Sequence, residues 1–409
     1  MKFGLENMLT ICEALGRPER AFRSVIVAGT NGKGSVTAML SAALHAAGVR
    51  AARYTSPHLE RLEERYVIGE EDVARRELED AAAAVQEIVE RLVGERRLEA
   101  LPTFFECATA MAFELFRRRA VELAVVEVGL GGRLDATNVI TPVAAAITSI
   151  DFDHEELLGH TLDAIAREKA GVIKPGIPVV IGPLPTEAEL AIAEVCRERG
   201  ATLLRAHDRA TVSSADAITA DVATPDLQLT AVPLALRGRH QLDNAAVAVC
   251  VLEELQRQGV PLTASHIRVG LEQARWPGRL ETASWRGADV LLDAAHNPAG
   301  GRALAAYLGA RGWTAIVLVI GVMRDKDARA IVASLAPLAR TIVCTAAPTP
   351  RALPADELAA VVRAVAGPQS DVRTVADPAA ALDDACRAGA RVVVAGSIFL
   401  IGALRGILR

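Results

Sequence analysis

Short, uninterrupted apolar runs alternate with helical segments along most of this chain, and that alternation leaves few folds open. In the first half SVIVAG (24–29), ARYTSP (52–57), LAVVEVG (123–129), AAAITSI (144–150) and PVVIG (178–182) read as strands. Helical patterns fall between them at KGSVTAMLSAALHAAG (33–48), from about 71 to 93, at 104–119 and at TLDAIAREKAGVI (161–173). Strands that are apolar along their whole length and separated by helices predict a parallel sheet covered on both faces. From about 205 to 239 the texture changes to runs such as LQLTAVPLAL, which predicts a small antiparallel insertion, and helical pattern resumes from 241 to 273. WPGRLETASWRGAD (276–289) lacks a period and holds Pro277, Gly278 and Gly287, the mark of a domain junction. Beyond it DVLLDAAHN, TAIVLVIGV, TIVCTAA, DVRTVAD and RVVVAGS alternate with helices, a second, Rossmann-like α/β domain. A chain of 409 residues is also too long for one core, since single cores stop growing near ~250–300 residues.

Composition removes several function classes. The net charge of −5 comes from interspersed acids and arginines without a basic block, so no nucleic-acid partner is expected. Glu6 and Glu13 interrupt the N-terminal segment, and no window reaches the ~18 apolar residues of a membrane span, so a cytoplasmic protein without membrane contact is expected. Six cysteines stand singly, without a Cys-x-x-Cys pair, which argues against a zinc knuckle or a disulfide framework. The basic residues are 40 Arg and only 5 Lys (Lys2, Lys33, Lys169, Lys174 and Lys326). A lysine in such a chain marks a place where a compact charge or a deprotonatable amine is needed, because Arg supplies neither.

One of those lysines lies in SVIVAGTNGKGS (24–35). The usual phosphate-loop pattern fails here, because Val27 stands where its first glycine belongs and Gly34, not a hydroxyl residue, follows Lys33. Gly29, Gly32 and Gly34 nevertheless sit between a buried strand and a helix, where backbone N–H groups can approach a phosphate. The competing reading is a plain glycine turn. Glu127 is a carboxylate inside the apolar strand VVEVG, costly to bury unless it ligates a metal or pairs with a base such as Arg133. Asp151, Asp153 and His154 follow the next strand, and Ser56 follows ARYTSP, all at the C-terminal edge where open α/β sheets bind ligands. Hydroxyl, carboxylate and imidazole together suit one or two Mg²⁺ ions beside a nucleotide.

SVIVAGTNGKGS, TSPHLER, PTFFE, EVGLGGRLDATN, DHEELLG, REKAGVIKPG, GRHQLDNAAVA, WPGRLE and LDAAHNPAG, in that order, resemble folylpolyglutamate synthase and dihydrofolate synthase, a branch of the Mur ligase superfamily. The resemblance implies a phosphate-loop ATPase domain over residues 1–283 and a glutamate-ligase domain over 284–409. It implies ATP contacts for Gly29, Thr30, Asn31, Gly32, Lys33, Gly34 and Ser35, with Asn244 and Arg279 on adenine and phosphate. It places Ser56, Glu127 and His154 on Mg²⁺ and makes Lys169 a carbamylated lysine that supports the metal; the alternative for Lys169 is a solvated helical charge. It turns Asp293 and His296 toward the nucleotide, although His296 could instead cap the helix that starts before Pro298, and it relates Ser397 to glutamate binding.

The activity so implied is ATP-dependent ligation of L-glutamate to dihydropteroate, to the glutamate tail of reduced folates, or to both, through an acyl phosphate and without an obligatory partner chain. PTFFE favours the bifunctional reading over a monofunctional folylpolyglutamate synthase. With 28 residues before Gly29, the nucleotide-sugar-binding domain of peptidoglycan-building Mur ligases is not expected. No Asn-Lys-x-Asp signature of a guanine-nucleotide switch occurs.

Overall fold

The computed structural model describes residues 4–98, 100–216, 218–367 and 370–408; Lys2 lies outside them. The chain divides into two compact units, one formed by residues up to Ala235 with Gln241–Arg275, the other by Leu236–His240 with Trp276–Arg409. The division falls ahead of the boundary drawn from sequence at 283/284.

The first unit is built on strands β1 (Arg23–Ala28), β2 (Ala51–Tyr54), β3 (Tyr66–Ile68), β4 (Glu71–Asp72), β5 (Leu123–Glu127), β6 (Ala144–Ile147), β7 (Pro178–Ile181) and β8 (Thr202–Arg205). They lie in the order β4-β3-β2-β5-β1-β6-β7-β8. The six strands from β2 to β8 in that order run parallel, as expected, while β3 and β4 add an antiparallel edge. That hairpin corrects the reading of residues 71–93 as one helix: Glu71 and Asp72 pair with Ile68 and Val67 of β3, this pairing outweighs any local helical tendency, and the helix starts at Arg75. Alternate residues of the sheet, including Ile26, Tyr54, Val126 and Ile147, pack on Phe113, Phe116 and Leu78 on one face. The helix Phe104–Arg118 on that face begins with a capping box: Glu106 N donates to Thr103 Oγ1 at 3.2 Å and Thr103 N to Glu106 Oε2 at 2.7 Å. Thr103 and Glu106 of PTFFE are thus occupied by a helix start.

The expected antiparallel insertion is a separate sheet of β9 (Thr211–Ser213), β10 (Thr219–Ala223) and β11 (Gln228–Pro233). The helical stretch after it breaks into His240–Arg257 and Ala264–Gln273 around Gly259 and Pro261. All six cysteines are free thiols.

In the second unit β12 (Glu281–Trp285), β13 (Ala288–Leu292), β14 (Ile316–Ile320), β15 (Ala339–Cys344), β16 (Asp371–Thr374) and β17 (Arg391–Ala395) take the order β12-β13-β17-β14-β15-β16. Five are parallel; β12 pairs antiparallel with β13. β12 lies inside the aperiodic WPGRLETASWRGAD stretch, which periodicity could not resolve because an exposed edge strand needs no apolar face. Among the described residues no helix is long and apolar enough to cross a membrane.

Candidate active site

The loop after β1 enters the helix Lys33–Ala46 with Gly32 as its N-cap and no capping side chain. Gly29 has φ 143° and Gly32 φ 86°. A Cβ at Gly29 would fall 2.0 Å from Thr148 Oγ1, and one at Gly32 would fall 2.3 Å from Asn244 Oδ1, so backbone and space both require glycine. The end of β6 staples the loop in place. Thr30 N donates to Ser149 O at 2.8 Å, Asn31 N donates to Ser149 Oγ at 2.9 Å, and Thr148 Oγ1 donates to Asn31 O at 2.6 Å. The Thr30 hydroxyl lies 3.1 Å from both the N–H and the carbonyl oxygen of Asp151. Lys33 Nζ folds back to donate to Gly29 O at 3.0 Å and Thr30 O at 3.1 Å. Ser35 Oγ accepts from Gln241 Nε2 at 3.1 Å, and Gln241 Oε1 accepts from Asn244 Nδ2 at 2.8 Å. Asn244 therefore forms a wall of the loop.

The strand order β2-β5-β1-β6 brings the other candidates to the same sheet edge. Ser56 follows β2, Glu127 ends β5 opposite Val27 of β1, and His154 follows β6 with its own N–H on Asp153 Oδ1 at 3.0 Å. Glu127 is 5% exposed. The base close to it in sequence is engaged elsewhere: the Arg133 guanidinium donates to Glu168 Oε1 at 3.1 and 2.8 Å. A base that sequence reading passed over, Arg53, lies in the field of Glu127; burial pushes its guanidinium down while the Asp72 and Glu127 carboxylates push it up. Lys169 is not a solvated charge but 5% exposed, with Nζ donating to Gly29 O at 3.0 Å. Two lysines thus reach one loop carbonyl.

Among the described residues no three His, Cys, Asp or Glu side chains form a metal-holding group. The expected set needs only two of those types and adds the Ser56 hydroxyl. A buried carboxylate with a hydroxyl and an imidazole is a donor set that leaves most positions of an octahedral Mg²⁺ to water, as that ion prefers.

In the second unit the C-terminal ends of β13 and β17 meet. Gly396 N donates to Ala295 O at 2.9 Å. Asp293 is 7% exposed, with Oδ2 accepting from Leu280 N at 2.9 Å; burial pushes its carboxyl up and the Arg279 guanidinium pulls it down. His296 Nδ1 lies 2.9 Å from Ala294 O, and the cap of the helix Pro298–Ala310 is Asn297, whose Oδ1 accepts from Gly300 N at 2.9 Å. His296 is therefore not the capping residue. Ser397 is 1% exposed, and its Oγ accepts from Phe399 N at 3.2 Å at the start of the helix Ile398–Leu408.

Burial and Arg279 push the His240 imidazole down to about 4. An unfolded histidine titrates near ~6.5. The folded state keeps the ring neutral, so the associated stability is complete above the unfolded value and is lost as pH falls toward the folded one. It amounts to about 3 kcal/mol. Urea denaturation between pH 7 and pH 4 should show the wild type losing that much more stability than His240→Gln.

Sequence reasoning missed the staple Thr148–Ser149, the Gln241 bridge and Arg53. Gln241 alone carried a signal, standing three residues before Asn244 on one helix face.

Residues 27–252 match the family model "Mur ligase middle domain" and residues 278–398 match "Mur ligase, glutamate ligase domain". The chain is 37% identical to folylpolyglutamate synthase of Lacticaseibacillus casei over 85% of this chain and 82% of that one. It is 35% identical to dihydrofolate synthase/folylpolyglutamate synthase of Mycobacterium tuberculosis over 98% of this chain and 89% of that one. Among solved structures, Escherichia coli FolC in complex with DHPP and ADP superposes with a TM-score of 0.88 at 29% identity, covering 100% of this chain and 93% of that one.

Proposed function

Belonging to the Mur ligase family, in its folylpolyglutamate and dihydrofolate synthase branch, this chain is an ATP-dependent amide-bond-forming ligase, and we propose that it joins L-glutamate both to dihydropteroate and to the glutamate tail of reduced folates. One observation carries the site assignment. Ser56, Glu127, the Lys33 loop and His154 issue from four adjacent strands of one sheet edge, in the order β2-β5-β1-β6.

In the first step a carboxylate oxygen of the pterin substrate attacks the γ-phosphorus of ATP, and ADP leaves. The neutral α-amine of glutamate then adds to the acyl phosphate carbon, the nitrogen gives up a proton, and inorganic phosphate departs to leave the amide. Lys33 serves the first step. Its ammonium rests on two loop carbonyls, and phosphate oxygens compete for it as a stronger, anionic acceptor. The N–H groups of the first helical turn and the helix dipole add positive potential at the same point. Ser56, Glu127 and His154 would hold Mg²⁺, which would supply positive charge against the transferring phosphoryl group. The Lys169 amine, once neutral, adds to the carbon of CO₂ and loses a proton, which turns a cation beside the loop into an anion able to support the metal site.

Asn244 and Arg279 are assigned to ATP, Asp293 and His296 to the nucleotide and the reacting groups, and Ser397 to glutamate. Six free, scattered thiols fit a reducing cytoplasm, where we place the chain as a monomer.

The test is phosphate release by purified protein with ATP, Mg²⁺ and L-glutamate, offered dihydropteroate or tetrahydrofolate separately. Release with each is expected. Release with tetrahydrofolate alone reduces the activity to folylpolyglutamate synthase, and release with neither sinks the proposal.

A further inference from the structure

Lys174 closes the REKAGVIKPG segment, and the ligation chemistry leaves it without a role. Its Nζ donates to two oxygens of a single residue, Asn138 O and Asn138 Oδ1, both at 2.8 Å. Asn138 spends its own amide on two other segments: Nδ2 donates to Arg133 O at 3.0 Å and to Gly171 O at 3.1 Å. Arg133 belongs to the loop that follows Glu127, and Gly171 is the C-cap of the helix Leu162–Ala170 that carries Lys169. The same two segments meet again where Arg133 N donates to Glu168 O at 2.8 Å. Gly132 presses so closely on this helix end that a Cβ there would come within 2.7 Å of Lys169 O.

We propose that Lys174 is a positioning residue for Lys169: by fixing both oxygens of Asn138 it ties the helix end that bears Lys169 to the loop that leaves Glu127, and so holds the Lys169 amine where it becomes a carbamate. The inference rests on the carbamate assignment under the proposed function. A compact ammonium carries its three donors on one atom and reaches a main-chain and a side-chain oxygen of the same residue together. A planar guanidinium spreads its donors over a wider fork, which gives a reason for lysine here in a chain that mostly uses arginine.

The full-length protein and its Lys174→Met and Lys174→Arg variants, equilibrated with ¹³C-bicarbonate, would be probed by NMR for the carbamate carbon, assigned by its loss in Lys169→Arg. The Mg²⁺ concentration giving half-maximal phosphate release would be measured on the same samples. Lys174→Met is expected to lose most of the resonance and to need about tenfold more Mg²⁺, the usual scale for losing a group that orients a ligand. Lys174→Arg is expected to recover only part of either property. A folded Lys174→Met protein with the wild-type resonance and Mg²⁺ requirement overturns the proposal even if its melting temperature has dropped, because stability alone is what a merely structural lysine provides. Should Lys174→Met fail to fold, Asn138→Asp keeps both acceptors of Lys174, removes both Nδ2 donors, and is held to the same two outcomes. Absence of the resonance from the wild type overturns the carbamate assignment and this inference together; its persistence in wild type and variant alike overturns this inference alone.

Discussion

Lys33→Ala is expected to slow ATP-dependent phosphate release by about a thousandfold, equivalent to about 4 kcal/mol of lost transition-state stabilisation. The effect is large because the other lysine at the loop cannot take its place. Lys169, which shares the Gly29 carbonyl, is buried and is assigned to become an anion. The loop itself should keep its shape, since Thr148, Ser149 and the Asp151 main chain hold it independently of Lys33. The melting temperature should therefore change little while kcat collapses. Lys33→Arg is expected to restore little of the rate, because the ammonium sits within 3.1 Å of two carbonyls that a guanidinium fork would have to displace. Full activity in Lys33→Ala would falsify the role given to the loop.

Lys169→Arg is expected to lower kcat by about a hundredfold and to raise the Mg²⁺ requirement. The substitution preserves the positive charge but denies the site a carbamate, so it separates the two functions a lysine could have there. It also forces a larger head group into a site with 5% exposure. A chemical control isolates the carbamate from that steric cost. Removing CO₂ from the buffer should lower wild-type activity, adding bicarbonate should restore it, and Lys169→Arg should respond to neither. A wild-type enzyme indifferent to CO₂, with no carbamate resonance, would remove the assignment.

Much of the candidate site is legible in the amino-acid sequence. The strand ends that carry Ser56, Glu127 and His154 can be read from apolar runs that stop abruptly at polar residues, since a buried parallel strand needs continuous apolar sequence and its end does not. Scarcity of lysine singles out Lys33 and Lys169, and both lie beside the loop. Less legible are elements whose pattern is not periodic. The edge strand β4 reads as part of the following helix, and β12 reads as a junction, because edge strands are specified by the neighbour they pair with.

Partner choice is not legible at all. Arg133 is near Glu127 in sequence yet binds Glu168, and Lys174 reaches back to Asn138 across 36 positions. The sequence by itself determined two α/β units, the glycine-dependent loop that enters a helix, and which residue types stand at the sheet edge, because local periodicity, glycine positions and strand ends are short-range properties. Only the tertiary structure decided which side chains are bound to each other: Thr148 and Ser149 to the loop, Gln241 to Ser35, Asn138 to Lys174. Those pairings depend on how segments far apart in the chain are packed, and a buried polar group accepts whatever satisfying partner that packing brings within reach.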